Sequence, residues 1–494
     1  MNILGISAGF HDAAATVVSL QGDILFAGHS ERYSKQKNDA NLCLELIQDA
    51  ITTSGPVDRI AYYERPWLKQ LRQLYSGQSI DWDKLSARQI INDQLNGMVC
   101  LPDKITTHGH HLSHAAAGFQ TSPYNRATVV VIDAIGEVDT ISIWGAEYKN
   151  GIAKYQRLWG QQYPHSIGLF YSAMTKRVGL RPLDEEYILM GMAAYGRPGW
   201  SNLIKHDLVD NEYAIRFSEN LHLGVSNDFL AGVDEMDIAA GAQALVENLI
   251  CNVMRRAKNY NFSNNLVYMG GVALNCSANR NLGEYFDNIW IMPNPGDAGS
   301  SLGAAALALG KRINWTDAFL GTNIPGDYPV NNLLDALITH GICGVASGRA
   351  EFGPRALGNR SLLADPRGAD IKDRVNEIKR RQQFRPFAPV ILEEQVSEYF
   401  GMPKGFTDSR YMQTTAECKF PDKFPAIVHA DGTSRVQTVP KDGSGIRELL
   451  ERWFVLTGCP MLLNTSLNIR GEPMVNDRAD ADRFEQLYSI KVYS

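Results

Sequence analysis

The chain has 494 residues, of which 44% are hydrophobic and 21% charged, and a formal net charge of -6. That length exceeds what one compact core fills, so two or three domains are expected, and the composition is that of an ordinary soluble globular protein. The acidic balance gives no overall electrostatic footprint for gripping nucleic acid, and no apolar stretch is long enough to cross a bilayer. Seven cysteines without a CxxC pair read as reduced thiols of a cytoplasmic protein.

In chain order, the start Asn2 to Ser7 lacks the basic n-region of a signal peptide and reads as an apolar strand. It ends in a Gly-rich turn that carries His11, and strand-like Ala14 to Leu20 and Asp23 to Ala27 follow. His110 and His114 in GHHLSHA precede apolar Ala115 to Ala117, which predicts a helix. Four residues apart, the two histidines then share one face and can grip one cation. Thr128 to Asp133 is again an apolar strand ending in a polar turn with Gly136, followed by Thr140 to Glu147 and Ala153 to Trp159. This repeated strand, turn, strand unit is the signature of the actin, hexokinase and Hsp70 type of nucleotide-binding fold, in which turn amides face phosphates.

Asn265 to Met269 is a strand running into Gly270 and Gly271, where paired glycines let the backbone approach a flat ligand, and Asn275 follows closely. Asp297 precedes an Ala-rich helix, Leu302 to Leu309. Together His110, His114, Asp133 and Asp297 offer a nitrogen and oxygen shell suited to iron, manganese or zinc. Gly321 to Pro329 reads as a linker, with a new segment beginning near Asn331. That segment sets arginines beside Gly and Pro, at Arg349, Arg355, Arg360, Arg381 and Arg385, and arginine's planar fork suits phosphate or carboxylate oxygens. Arg435, Gln437, Asn464, Ser466 and Asn468 then place polar groups between apolar strands, as in small-ligand pockets.

The runs GISAGFHDAAA, GGVALNCSANRNL, EFGPRALGNRSLLADPR, FRPFAPV, DGTSRVQTV and LLNTSLN together resemble the O-carbamoyltransferase family of the NodU, CmcH and TobZ type over nearly the whole chain. The resemblance implies an α/β protein. An actin-like (ASKHA) duplicated transferase domain over 1–325 would be followed by a YrdC-like α/β domain over 326–494. The second domain would make carbamoyl-adenylate from carbamoyl phosphate and ATP, with magnesium accompanying the ATP. The first would use a divalent metal, iron(II), to pass the carbamoyl group to a hydroxyl. The resemblance matches His110, His114, Asp133 and Asp297 to the metal ligands and His11 to a general base, a role that suits an imidazole titrating near neutrality. Lys37, Gly136, Gly270, Gly271 and Asn275 are the nucleotide contacts expected in the transferase domain. Lys379 with Arg381, and Ser466 with Asn468, match a KxR and SxN signature, while Arg355, Arg385, Arg435 and Asn464 complete the carbamoyl phosphate and ATP set.

Two departures bear on the acceptor: Ile188 stands where the family commonly has lysine, and Asn38 where it has histidine. Both remove positive charge, so a neutral or cationic small hydroxylated metabolite, such as an antibiotic or a sugar, is the expected partner. A hydroxymethylated nucleobase in DNA is the alternative acceptor and demands base flipping and a basic groove. A non-catalytic, actin-like nucleotide switch is the alternative outside catalysis, but it has no use for the arginine and SxN segments.

Overall fold

A computed structural model of the chain describes residues 1–368, 370–443 and 445–494. It divides into two compact units, one formed by Met1–Leu274 and Leu282–Asp317, the other by Asn275–Asn281 and Ala318–Ser494.

The first unit is built on a duplication. In one sheet Asn2–Ser7 pairs antiparallel with Ala14–Ser19, which pairs antiparallel with Ile24–His29, and on its other edge runs parallel to Arg59–Tyr62 and then Ile105–Thr107. The second sheet repeats this order and sense. There Arg126–Gly136 pairs antiparallel with Asp139–Lys149, which pairs with Ile152–Gln162, and on its other edge runs parallel to Asn265–Met269 and Asn288–Trp290. The repeat expected from sequence is therefore present, with the same strand order and sense in both sheets.

Two helices, His110–Thr121 and Ser300–Leu309, pack on each other close to these sheets. Small residues bring them together. A Cβ on Gly303 would lie 1.9 Å from the carbonyl oxygen of Ser113, and one on Gly5 would lie 1.9 Å from that of Ser301, so both backbone approaches require glycine. This packing brings Asp297, three residues before the second helix, beside the histidines of the first.

In the second unit a mixed six-stranded sheet runs in the order Gln437–Val439, Ala388–Leu392, Met461–Ser466, Arg360–Ala364, Ile342–Ala346 and Val492–Tyr493. Helices Val330–His340 and Ile446–Thr457 cover an apolar core that contains fully buried Trp453. The expected linker is only partly a linker, because Phe319–Ile324 is a strand paired antiparallel with Gly348–Glu351. The boundary thus falls after Asp317, not after residue 325. The reason is Arg360, wholly buried, whose guanidinium donates to the carbonyls of Thr322, Ser347, Gly348, Asn359 and Asn476 and so pins the turn-like segment. Residues 275–281 also belong to this unit, and Asn279 Nδ2 donates to the Gln413 carbonyl at 2.8 Å.

Candidate active site

The buried helix His110–Thr121 places His110 and His114 one turn apart, with ring centroids 4.9 Å from each other and Nε2 atoms 3.1 Å apart. Asp133 lies in the strand Arg126–Gly136 where pairing with the next strand breaks, and its Oδ2 is 3.1 Å from His110 Nε2 and 3.5 Å from His114 Nε2. Asp297 Oδ1 lies 3.2 Å from both nitrogens. The four ligand atoms all fall within 4.8 Å of one another.

These residues fit a divalent metal. Two imidazole nitrogens that face each other between two carboxylates can share a cation, and two carboxylates balance its charge. Without one, burial opposes charging the histidines, but Asp297 and Asp133 outweigh it and hold His110 and His114 above the ordinary imidazole range. Burial likewise opposes ionising Asp133 and Asp297, yet the histidines draw both below the ordinary carboxylate range.

The surrounding backbone is shaped to the cluster. Gly136 lies against the histidines: a Cβ there would sit 2.3 Å from His110 Cδ2. Gly271 N–H donates to Asp133 Oδ1 at 3.2 Å. Gly270, at φ 91°, approaches the neighbouring strand, since a Cβ would lie 2.2 Å from the Ile132 carbonyl oxygen. The close approaches at Gly136 and Gly270 are thus to protein atoms. Ser166 Oγ donates to the carbonyls of Asp133 and Ala134 at 3.2 and 2.7 Å, steadying the strand at the ligand.

Residues that sequence reasoning missed lie after the strand Arg59–Tyr62. Buried Glu64 reaches His110 Nδ1 at 3.2 Å and Lys69 Nζ at 3.2 Å. Arg65 grips Glu137 through Nε at 3.1 Å and Nη2 at 2.6 Å. The only available signal was an adjacent Glu-Arg directly after an apolar strand.

His11 sits on the first turn with Nδ1 3.2 Å from Asp12 Oδ2. Burial disfavours its charge, but Asp12, with Asp297 and Asp133, overcomes that and pushes it up to about 10. Lys37 Nζ lies 5.9 Å from the Tyr187 ring centre. Asn38 has a left-handed backbone and its side-chain amide donates to the Leu183 carbonyl at 3.2 Å. Ile188 is buried in the helix Glu186–Met192, where a lysine would have to lose its hydration. Asn275 caps the short helix Cys276–Asn279, accepting from Ala278 N–H at 3.0 Å, and it lies in the second unit.

Within that second unit, Lys379, Ser466 and Asn468 form one hydrogen-bonded group at the end of the strand Met461–Ser466. Lys379 Nζ donates to Asn468 Oδ1 and is 3.1 Å from Ser466 Oγ, which in turn donates to the same Oδ1 at 2.7 Å. Arg381 donates to Asn376 Oδ1 at 2.7 Å and stacks 4.3 Å from the Phe387 ring centre. Asn464 donates to the Ala356 carbonyl and to Gln437 Oε1 at 3.0 and 2.7 Å. Arg435 Nε is buried with no partner among the described residues. Arg355 and Arg385 are half-buried. Of the arginines singled out in the sequence, Arg360 is a backbone clamp and has no role in such a group.

Two family models match the sequence: the carbamoyltransferase N-terminus over residues 88–306 and the carbamoyltransferase C-terminus over residues 334–493. An uncharacterized protein of Synechocystis sp. is 33% identical, over 98% of this chain and 94% of its own length. Nodulation protein NolNO of Sinorhizobium fredii is 31% identical, over 95% of this chain and 76% of its own length. Among solved structures, the ADPNP-bound activator of the 2-hydroxyisocaproyl-CoA dehydratase from Clostridium difficile aligns with a TM-score of 0.36 at 14% identity, over 63% of this chain and 94% of that one. Full-length HypF in its phosphate- and nucleotide-bound form aligns with a TM-score of 0.36 at 13% identity, over 62% and 46% of the two chains.

Proposed function

The chain belongs to the carbamoyltransferase family, and we propose that it is an ATP-dependent O-carbamoyltransferase acting on a hydroxyl of a small metabolite. In the first half-reaction carbamoyl phosphate, ATP and one water give carbamoyl-adenylate, pyrophosphate and phosphate. In the second, the acceptor oxygen bonds to the carbamoyl carbon, the bond to AMP breaks, and the hydroxyl proton leaves to a base. The observation that carries this reading is the convergence of His110, His114, Asp133 and Asp297 in a chain of this family.

The first half-reaction is assigned to the second unit, read as the YrdC-like domain. Lys379, Ser466 and Asn468 orient the carbamoyl phosphate and ATP oxygens, and Arg381, braced by Asn376 and Phe387, clamps a phosphate. The unpartnered buried N–H of Arg435 suits another anionic oxygen. Arg355, Arg385 and Asn464 complete the set.

Transfer is assigned to the first unit. His110, His114, Asp133 and Asp297 would hold a divalent metal, iron(II), which when bound polarises the carbamoyl carbonyl as a Lewis acid. Gly271 N–H fixes the Asp133 carboxylate. His11, oriented by Asp12, moves the proton at the acceptor hydroxyl. Burial opposes its charge, but Asp12 chiefly, with smaller contributions from Asp297 and Asp133, keeps it protonated at neutral pH, so it must first give up that proton to act as a base, and compensating the charges of Asp297 and Asp133 lowers its proton affinity in part. Lys37 stands as a nucleotide contact near the same turn.

The test separates the two steps. Arg381→Ala or Ser466→Ala is expected to abolish ATP consumption that depends on carbamoyl phosphate. His11→Ala is expected to retain it while acceptor carbamoylation, followed by mass spectrometry, falls roughly a hundredfold or more. Loss of both steps together in His11→Ala would make that residue a phosphate contact or a structural one.

A further inference from the structure

The helix Pro66–Tyr75 is turned inside out. Lys69, Gln70 and Arg72 are buried, while Trp67, Leu71, Leu74 and Tyr75 are exposed. Hydrophobic burial favours the opposite orientation, so the inward face is set by what its polar groups touch. Each has a partner. Gln70 Oε1 accepts from Asp81 N–H at 2.8 Å, Arg72 Nε donates to the Glu137 carbonyl at 3.2 Å, and Lys69 Nζ meets Glu64 Oε2 at 3.2 Å.

That same Glu64 oxygen lies 3.2 Å from His110 Nδ1. A carboxylate only accepts, so Nδ1 carries a proton, and Nε2 is the nitrogen turned toward the other three ligand atoms. On its far side Lys69 Nζ sits 3.6 Å from the centre of the Phe10 ring, and Phe10 immediately precedes His11. An unbroken run of contacts therefore joins the metal-ligand cluster to the turn that carries His11.

We infer that Glu64 and Lys69 are positioning residues: Glu64 orients His110 and strengthens it as a ligand, and Lys69 ties that carboxylate to the His11 turn through Phe10. This rests on the metal-dependent reading above. The two histidines are unequal in just this respect, since His114 Nδ1 is buried without a partner among the described residues. A carboxylate behind an imidazole fixes the ring and raises its basicity. Lys69 supplies the countercharge that a buried carboxylate requires, and the face of Phe10 attracts the ammonium.

Cobalt(II) titrated into the metal-stripped full chain reads the cluster through its d–d absorption, without turnover. Glu64→Gln is expected to weaken cobalt binding about 10–100-fold and change the spectrum, with an unaltered circular dichroism spectrum. Glu64→Asp restores part of the affinity, and Lys69→Met gives an intermediate loss. Phe10→Leu keeps wild-type cobalt binding and carbamoyl-phosphate-dependent ATP consumption but slows transfer to the acceptor. Wild-type affinity and spectrum in Glu64→Gln overturn the positioning role while leaving the metal reading intact, and a wild-type chain that binds no cobalt overturns both. If Glu64→Gln does not fold, wild-type cobalt affinity and spectrum in both Glu64→Asp and Lys69→Met overturn the role instead. Unchanged transfer in Phe10→Leu overturns the link to His11.

Discussion

At the level of single residues, chemistry that is rare in a buried position is what makes a site readable. His110, His114, Asp133 and Asp297 stand out in the sequence because a histidine pair at helical spacing occurs together with carboxylates in turns after buried strands, and the structure brings all four together. Purified protein is accordingly expected to hold about one divalent metal per chain, and His114→Ala to lose most of it by elemental analysis, because one missing ligand leaves two carboxylates in mutual repulsion. Full occupancy in a His110→Ala, His114→Ala double variant would refute the site. Glu64 and Lys69 were not legible, since an ordinary charged pair gives no sign in sequence that it is buried behind a ligand. Arginine posed the same problem: nothing local separates Arg360, which clamps carbonyls, from Arg381, which is braced by Asn376 and Phe387.

His29 supplies a residue-level prediction about stability. It is buried, its Nε2 accepts from Asn294 Nδ2 at 3.1 Å, and it is lowered to about 3 by burial and by Arg32. Because its folded value lies below its unfolded value near 6.5, the unfolded state binds the extra proton first. The associated stability is complete above about pH 6.5 and is lost as pH falls toward about 3, at up to roughly 1.4 kcal/mol per pH unit. Denaturant unfolding of His29→Gln is expected to show a shallower decline over that window than the native chain. An unchanged slope would remove His29 as the source.

Among the elements, the duplicated sheets were legible because long apolar strands broken by turn residues recur in the same order, and their antiparallel members sit next to each other in the chain. The parallel strand Arg59–Tyr62 escaped notice: its four residues are too few to show a period, and its neighbour in the sheet is far away in sequence. The reading of Gly321 to Pro329 as linker followed turn-like composition, which the carbonyl clamp of Arg360 overrides. A close constraint lies between helices His110–Thr121 and Ser300–Leu309. Gly303→Ala forces a methyl into the Ser113 carbonyl and should cost about 1–3 kcal/mol or more. Since the same packing sets the distance from Asp297 to His114, metal content should fall with stability. A variant that is destabilised but retains full metal would show that the ligand geometry does not depend on this helix pair.

For the molecule as a whole, the acceptor question is one of surface charge. A small neutral acceptor leaves carbamoyl transfer nearly indifferent to salt, whereas a nucleic-acid acceptor must be held by lysines and arginines and loses activity steeply between low and physiological ionic strength. The net charge of -6 favours the first outcome. Carbamoylation of hydroxymethylated DNA exceeding that of every small acceptor, or a collapse of small-acceptor turnover with added salt, would reverse that assignment.

The short segment 275–281 changes what can be taken apart. The backbone passes from one unit to the other after residue 274, returns after 281, and passes again after 317. A gene cut between codons 317 and 318 would therefore strand seven residues on the wrong fragment and break the bond from Asn279 to Gln413. Neither half is a portable cassette. Recombination that exchanged the C-terminal portion for another would have to tolerate, or co-inherit, a short segment encoded in the middle of its neighbour.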